Sequence, residues 1–271
     1  ERPSHWKGSS QMNCGRTAPG FSLPTEDLIG VSTISFGGIQ AEEAIDAVAA
    51  GGFRTIEMLL GVDRMAAIGH PSPLPASCWL FPDNVDRSAR QRLRAKLSGF
   101  ACVTAHVQIA DVNIASINPR IRAESVRQYV DCIELARDLN IPLITFHCGR
   151  LTRAGYPGVG AAESLGYNRQ FAELALDLAQ KYDMHMGYEC LGPECLDLIA
   201  MVKAAGGHRF GVHIDLMWTT RAVGREGLLK AIEESRGHIV EVHVHGGLHR
   251  AMEVAGHLPV RMNNVVDYAT A

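Results

Sequence analysis

Acidic and histidine side chains recur where short apolar segments of this sequence end. Eight residues share this placement: Glu57, His106, His147, Glu189, Asp215, Glu241, His243 and His245. If they met on one surface, the carboxylates would repel one another unless a cation lay among them. Carboxylate oxygens and imidazole nitrogens are ligands that Mn²⁺, Mg²⁺, Co²⁺ and Zn²⁺ take in proteins. The pattern therefore indicates a site for one divalent metal ion.

Several of these residues also have a simpler interpretation. A lone carboxylate such as Glu57 is as often a helix cap or one side of a surface ion pair, and a lone histidine such as His106 is often a hydrogen-bonded core residue. Glu241, His243 and His245 share one strand face at a spacing of two. Because they are stacked along the strand, they cannot all reach one ion, so we expect Glu241 to lie deeper and to support the ligands.

The segments that carry these residues alternate between strand and helix patterns. Strands are predicted near residues 30, 55, 103, 143, 186, 212 and 241, the sixth over 210–218. Helices are predicted over 41–50, 123–139, 168–180, 195–205 and 226–234. Apolar strands that alternate with helices favour a parallel sheet covered by helices, here a TIM-type (β/α)8 barrel. No Gly-x-Gly-x-x-Gly follows the first strand, so a dinucleotide site is not expected.

An eighth strand is not found in the sequence. After His245 the pattern predicts a loop that runs to Ala271. An open barrel would leave two unpaired strand edges, so we expect the eighth strand to lie outside this sequence. Residues 1–20 are interpreted as a disordered or expression-derived arm and residues 21–271 as a single barrel domain.

The bulk composition excludes some classes of partner. The net charge is −3, which does not suggest a nucleic-acid binder. No run of about 18 apolar residues predicts a membrane span. The seven cysteines are odd in number and scattered, which favours reduced thiols in a cytoplasmic protein.

Six stretches in order carry a resemblance to a known superfamily. They are TAHVQIADVNIAS (104–116), ITFHCG (144–149), MGYEC (186–190), GVHIDLMW (211–218), VEVHVHGG (240–247) and HLPV (257–260) followed by VVD (265–267). Through them residues 30–267 resemble the xylose isomerase-like TIM barrel superfamily. That group includes sugar epimerases, hydroxypyruvate isomerase, inosose dehydratase and the type IV apurinic endonucleases.

The resemblance implies roles for particular residues. Glu189, Asp215 and His243 match metal ligands, and Glu189 also matches a catalytic acid/base. A fourth ligand, a Glu on strand eight, has no counterpart here. The expected substrate-binding residues are His106, His147, Trp218, His245, Arg250 and His257, the last of these in a loop over the site.

The implied activity is the isomerisation or epimerisation of a keto sugar or polyol through an enediolate. One divalent metal ion, with manganese among the candidates, would assist it. The expected partner is a small carbohydrate, with neither nucleic acid nor membrane, and a homo-oligomer is expected by analogy. A lyase or dehydratase with the same metal core is the first alternative, and a barrel that only binds a sugar or a protein partner is another.

The sequence also departs from the pattern of the superfamily. Trp218 stands where a His is usual, Gly246 where an Asp is usual, and Arg261 and Asn263 where a Gly-x-Gly is usual. Trp218 and Ala255 occupy positions at which the endonucleases would need a His and an Asp for three metals. An apurinic endonuclease is therefore disfavoured.

Overall fold

The computed structural model describes residues 25–36, 39–61, 78–107, 112–150, 161–190, 195–205, 207–250 and 253–258 of the 271-residue chain. For residues 246–250 and 253–258 it describes the backbone alone.

Seven parallel strands form one sheet in chain order. They are β1 (Val31–Ser32), β2 (Thr55–Leu60), β3 (Cys102–Val107), β4 (Leu143–His147), β5 (His185–Cys190), β6 (Phe210–Asp215) and β7 (Ile239–His243). Each strand pairs with the next one along the chain. This order confirms the predicted parallel sheet, although β1 is only two residues long and gives way to a 3-10 turn over Thr33–Phe36.

Helices connect these strands. They are α1 (Ala41–Ala50), α2 (Arg87–Leu97), α3 (Pro119–Asp138), α4 (Ala161–Tyr182), α5 (Cys195–Ala205) and α6 (Leu216–Glu234), with further 3-10 turns at Thr25–Leu28 and Pro82–Asn84. Within the ranges described, none of them is long and apolar enough to cross a membrane.

The sixth strand and the helix after it differ from the prediction. The strand ends at Asp215 rather than Trp218, because the Asp215 side chain accepts a hydrogen bond from the backbone N–H of Trp218 and starts α6 there. The helix begins ten residues before the predicted one and contains a kink at Gly224, whose φ is 72°. An Asp at the N-cap, the position just before the first helical residue, satisfies an N–H group that has no partner within the helix.

Aromatic rings fill the layer between the sheet and the helices on one side. Phe146, Tyr188 and Phe210 on neighbouring strands contact one another, with Tyr129 of α3 and Phe171 of α4 against them. All five are buried. Full burial of one such side chain stabilises a fold by about 1.5–3 kcal/mol. The cluster therefore fixes β4, β5 and β6 relative to α3 and α4.

The sheet curls until distant strands meet across its interior. Thr104 on β3 donates a hydrogen bond to Glu241 on β7, with an O–O distance of 2.7 Å. Glu57 on β2 lies 2.7 Å from His243 on β7. Contacts between the second and seventh strands require the strongly curved sheet of a TIM-type barrel, and parallel strands bring their carboxyl ends to one rim.

A β-bulge adjusts the pairing of β6 and β7. Val212 pairs with Ile239, but His213 pairs with Glu241, so Val240 is an extra residue on β7. Its side chain lies where a side chain on Gly187 or Gly211 would collide with it. The shift places His243 beside Asp215.

An antiparallel hairpin follows β7. Strand β8 (Gly246–Arg250) pairs with β9 (Glu253–Leu258). The predicted loop after His245 is therefore wrong for this segment, and His257 lies in a strand rather than in a loop. Glycines within both strands obscure the alternation of side chains that would have predicted them.

Candidate metal centre and active site

The interior side chains of the barrel lie at two levels, because alternate residues of each strand face inward. The upper level, near the carboxyl rim, contains His147, Glu189, Asp215, His243 and His245. The lower level contains Glu57, Thr104, Thr145, His213 and Glu241. His106 connects the two levels, since its Nδ1 lies 3.0 Å from Thr145 Oγ1 and its Nε2 lies 3.2 Å from His147 Nε2.

Glu189, Asp215 and His243 converge at the upper level. His243 Nδ1 lies 3.8 Å from Glu189 Oε1 and 4.0 Å from Asp215 Oδ2. Two metal–ligand bonds of about 2.1 Å span up to about 4.2 Å, so one ion fits among these atoms. Two carboxylates and an imidazole suit Mn²⁺, Co²⁺ or Zn²⁺, and the three ligands that the resemblance implied are thus brought together.

A second group of ligand atoms adjoins the first. Glu189 Oε2 lies 2.7 Å from His147 Nε2 and 3.4 Å from His106 Nε2. This oxygen is buried and accepts no hydrogen bond from any residue in the described part of the chain. Glu189 therefore presents one oxygen to His243 and the other to two imidazoles.

Asp215 has a structural contact as well as a place in the first group. Its Oδ1 accepts from the backbone N–H of Trp218 at 2.7 Å, and its Oδ2 lies 2.8 Å from His245 Nε2. The Trp218 side chain is half-buried, and the centre of its ring lies 6.5 Å from the centre of the His245 ring. The Arg221 guanidinium lies over the Trp218 ring, 4.9 Å from its centre. His245 and Trp218 thus lie on one side of the rim.

For two of the expected substrate-binding residues the structure describes the backbone but not the side chain. Arg250 ends β8 and His257 lies in β9, and their side chains are not among those described. Their predicted contacts with substrate stay predictions.

Glu57, at the lower level, fixes the orientation of the His243 ring. His243 Nε2 lies 2.7 Å from Glu57 Oε2, which leaves Nδ1 toward Glu189 and Asp215. Burial alone would lower the pKa of His243, but the charges of Glu57, Glu189 and Glu241 outweigh it and raise the pKa to about 10. Without a metal, this ring is therefore protonated at neutral pH.

Glu241 lies below His243 and accepts hydrogen bonds from two threonines. Thr104 Oγ1 and Thr145 Oγ1 donate to it at 2.7 and 3.0 Å. Burial and then the neighbouring charge of Glu57 raise the pKa of Glu241 to about 7. This is the deeper place that the strand spacing predicted for Glu241.

Sequence reasoning did not identify His213 or the partner of His243. His213 is fully buried, and burial together with the adjacent histidines His243 and His106 lowers its pKa well below its usual value. Its position two residues before Asp215, on the same strand face, is the signal that could have found it. The contact of Glu57 with His243 spans 186 residues and had no local signal.

Comparison with known proteins places this geometry among related barrels. Residues 45–270 match the family model described as xylose isomerase-like TIM barrel. An uncharacterized protein of Methanocaldococcus jannaschii is 24% identical over 174 residues, which cover 62% of this chain and 57% of that protein. The chain thus spans little more than half of that relative's length.

Three solved structures show the same fold at low identity. A D-tagatose 3-epimerase-like protein is 19% identical with a TM-score of 0.60, over 80% of this chain and 75% of its own. An L-ribulose 3-epimerase is 18% identical with a TM-score of 0.62, over 80% and 69%. A D-psicose 3-epimerase in the presence of D-fructose is 16% identical with a TM-score of 0.59, over 79% and 71%.

Proposed function

We propose that this chain, which belongs to the xylose isomerase-like TIM barrel family, is a divalent-metal-dependent enzyme that isomerises or epimerises a sugar. The observation that carries the proposal is the convergence of Glu189, Asp215 and His243 at the carboxyl rim of the barrel. Three proteins of similar fold are described as 3-epimerases or as like one, and one was determined in the presence of D-fructose. Keto sugars are therefore the substrate class to test first.

Glu189, Asp215 and His243 would hold the metal. A bound divalent cation would supply positive charge that polarises a carbonyl and stabilises the negative oxygen of an enediolate. The described donor atoms are two carboxylate oxygens and one ring nitrogen, which leave coordination positions for substrate oxygens. The hydrogen bond that His243 Nε2 donates to Glu57 fixes which ring nitrogen faces this position.

Glu189 is the residue proposed to move the proton. Glu189 lines the cavity, and its Oε2 has no hydrogen bond from the residues described, so this carboxylate can take a proton from the carbon beside the carbonyl and return it. His147, 2.7 Å from that oxygen, can share the proton in between. A positioned acid/base group of this kind contributes about 10²–10⁴-fold to the rate.

The rim residues are proposed to orient the sugar. His106 and His147 offer ring nitrogens to hydroxyl groups beside Glu189, and His245 does so beside Asp215. The half-buried Trp218 offers a flat apolar surface to the carbon face of a sugar. Arg250 and His257 keep the substrate-binding roles implied by the resemblance.

Elemental analysis and isotope exchange test this proposal together. Wild type reconstituted with Mn²⁺ in Zn²⁺-free buffer is expected to contain about one Mn²⁺ per chain and to incorporate deuterium from D₂O into D-fructose or D-allulose beside the carbonyl. Glu189→Ala should lose both properties, whereas Glu226→Ala, which removes an exposed glutamate of α6, should keep both. Wild-type protein that stays metal-free in excess Mn²⁺, Co²⁺, Zn²⁺ and Mg²⁺ would refute the mechanism.

A lyase or dehydratase is the second candidate. The two imidazoles near Glu189 favour it, because the loss of a hydroxyl group after enediolate formation needs a general acid at hand. Mass analysis of the product separates the two activities. An isomer keeps the mass of the substrate, and a dehydrated product is lighter by one water.

A further inference from the structure

His213 is a buried imidazole that the proposed mechanism does not use. The side chain is fully buried in the lower level of the barrel. Neither Nδ1 nor Nε2 has a hydrogen-bond partner among the residues that the structure describes. A buried polar group without a partner is costly to a fold, and an apolar residue would fit such a position better. Such a side chain therefore indicates a partner that the polypeptide does not supply.

Two other imidazoles surround His213. The centre of its ring lies 4.0 Å from that of His243 and 5.4 Å from that of His106, and the His106 and His243 rings are 5.3 Å apart. One ligand nitrogen from each of the three lies within 4.8 Å of the other two. This group includes no carboxylate.

The two groups of ligands would prefer different metals. Imidazole nitrogens suit Zn²⁺ and Co²⁺, whereas carboxylate oxygens suit Mg²⁺ and Mn²⁺. Glu189, Asp215 and His243 offer two carboxylates for one imidazole, and His106, His213 and His243 offer three imidazoles. His243 belongs to both groups, so one ion would occupy one position or the other.

We propose that His106, His213 and His243 form an inner cation position that binds Zn²⁺ in preference to Mn²⁺. An ion there gives His213 the partner that the chain lacks. The position lies directly below the site of the proposed function and rests on that proposal through the shared His243. The chain then has a carboxylate-rich outer position for Mn²⁺ and a nitrogen-rich inner position for Zn²⁺.

Metal titration of three proteins tests the inner position. Dissociation constants for Zn²⁺ and Mn²⁺ are measured by competition with a chelator, for wild type, His213→Leu and His208→Leu. His208 is an exposed histidine that controls for the loss of an imidazole. His213→Leu should weaken Zn²⁺ binding at least about tenfold and change Mn²⁺ binding less than about twofold. His208→Leu should leave both unchanged.

A Zn²⁺ dissociation constant of His213→Leu within about twofold of wild type would overturn the proposal and leave His213 as a neutral core residue. Melting followed by circular dichroism in metal-free buffer shows whether His213→Leu is folded. If it is not, His213→Asn replaces it, with the same expected loss of Zn²⁺ binding and the same refuting result.

Glu189→Ala separates this proposal from the proposed function. The variant should lose Mn²⁺ binding and keep Zn²⁺ binding, because Glu189 is absent from the inner group. Equal loss of both ions would show a single position and refute the inner one. Retention of Mn²⁺ binding would instead refute the outer position. The comparison of His213→Leu with wild type would still test the inner position.

Discussion

Replacement of Asp215 separates the structural and the metal-binding contributions of one side chain. One carboxylate oxygen caps α6 through the N–H of Trp218, and the other contacts His245 and faces His243. Asn caps a helix about as well as Asp does, and its amide can hydrogen-bond to either form of an imidazole. Ala can do neither. The two substitutions therefore affect stability differently although each removes the carboxylate.

The expected magnitudes follow from these contacts. Loss of an N-cap costs about 1 kcal/mol, and loss of the hydrogen bond between Asp215 and His245 costs about 1 kcal/mol more. Metal-free Asp215→Ala should thus be about 2 kcal/mol less stable than Asp215→Asn. Asp215→Asn should be somewhat less stable than wild type in metal-free buffer, because it removes a negative charge that faces the protonated His243 ring. Mn²⁺ affinity should fall at least about 100-fold in both.

Urea unfolding in EDTA, followed by circular dichroism, measures the stabilities, and titration calorimetry measures Mn²⁺ binding. Equal stability of the Ala and Asn variants would refute the capping argument. Wild-type Mn²⁺ affinity in Asp215→Asn would refute the assignment of Asp215 as a ligand.

Four further predictions test other contacts. Glu57→Leu should weaken Mn²⁺ binding about 10–100-fold because His243 loses its fixed orientation, and calorimetry with Glu226→Leu as control checks this. Since the pKa of His243 is about 10, metal must displace a proton, so Mn²⁺ affinity should rise about tenfold per pH unit from pH 7 to 9; a flat profile would contradict it. In metal-free protein, protonated His243 stabilises the fold. This stabilisation is complete below a pH of about 6.5, which is the pKa of the ring in the unfolded chain, and it is lost as the pH rises through about 10. Tyr188→Phe removes a buried hydrogen bond to the Asn168 carbonyl, so urea unfolding should show a loss of about 1 kcal/mol with unchanged metal binding.

Periodic apolar segments made the barrel predictable from sequence. Strands such as β4 and β5 are short runs of buried residues between helices with a clear apolar face, and Ala41–Ala50 and Cys195–Ala205 were predicted at their observed bounds. Helix α2 lacks a clear apolar face in its sequence. Only Leu93 and Leu97 of this helix are buried, and the rest of the segment is rich in arginine. The hairpin of β8 and β9 was missed for a related reason, since its glycines obscure alternation.

The site was predictable to the extent that residue type and strand position determine it. The resemblance pointed to Glu189, Asp215 and His243, and parallel strands necessarily bring their ends together. The contact of Glu57 with His243 joins β2 to β7 across the interior of the barrel. The residue pattern of either strand alone does not predict that the two side chains meet. Asp215 as a helix cap was missed because the apolar residues after it continue the strand pattern into α6.

The extra residue on β7 makes the proposed metal site sensitive to the number of residues in this strand. If β6 and β7 paired without the bulge, the register at Val212 and Ile239 would continue, and Val242 would stand beside Asp215 where His243 now stands. Every second residue would then exchange faces, so valines would line the cavity and the imidazoles would face outward. A single insertion or deletion near Val240 can thus abolish the proposed metal centre while every proposed ligand is still present in the sequence. Any transplant of this strand into a related barrel must preserve the residue count as strictly as the residues themselves.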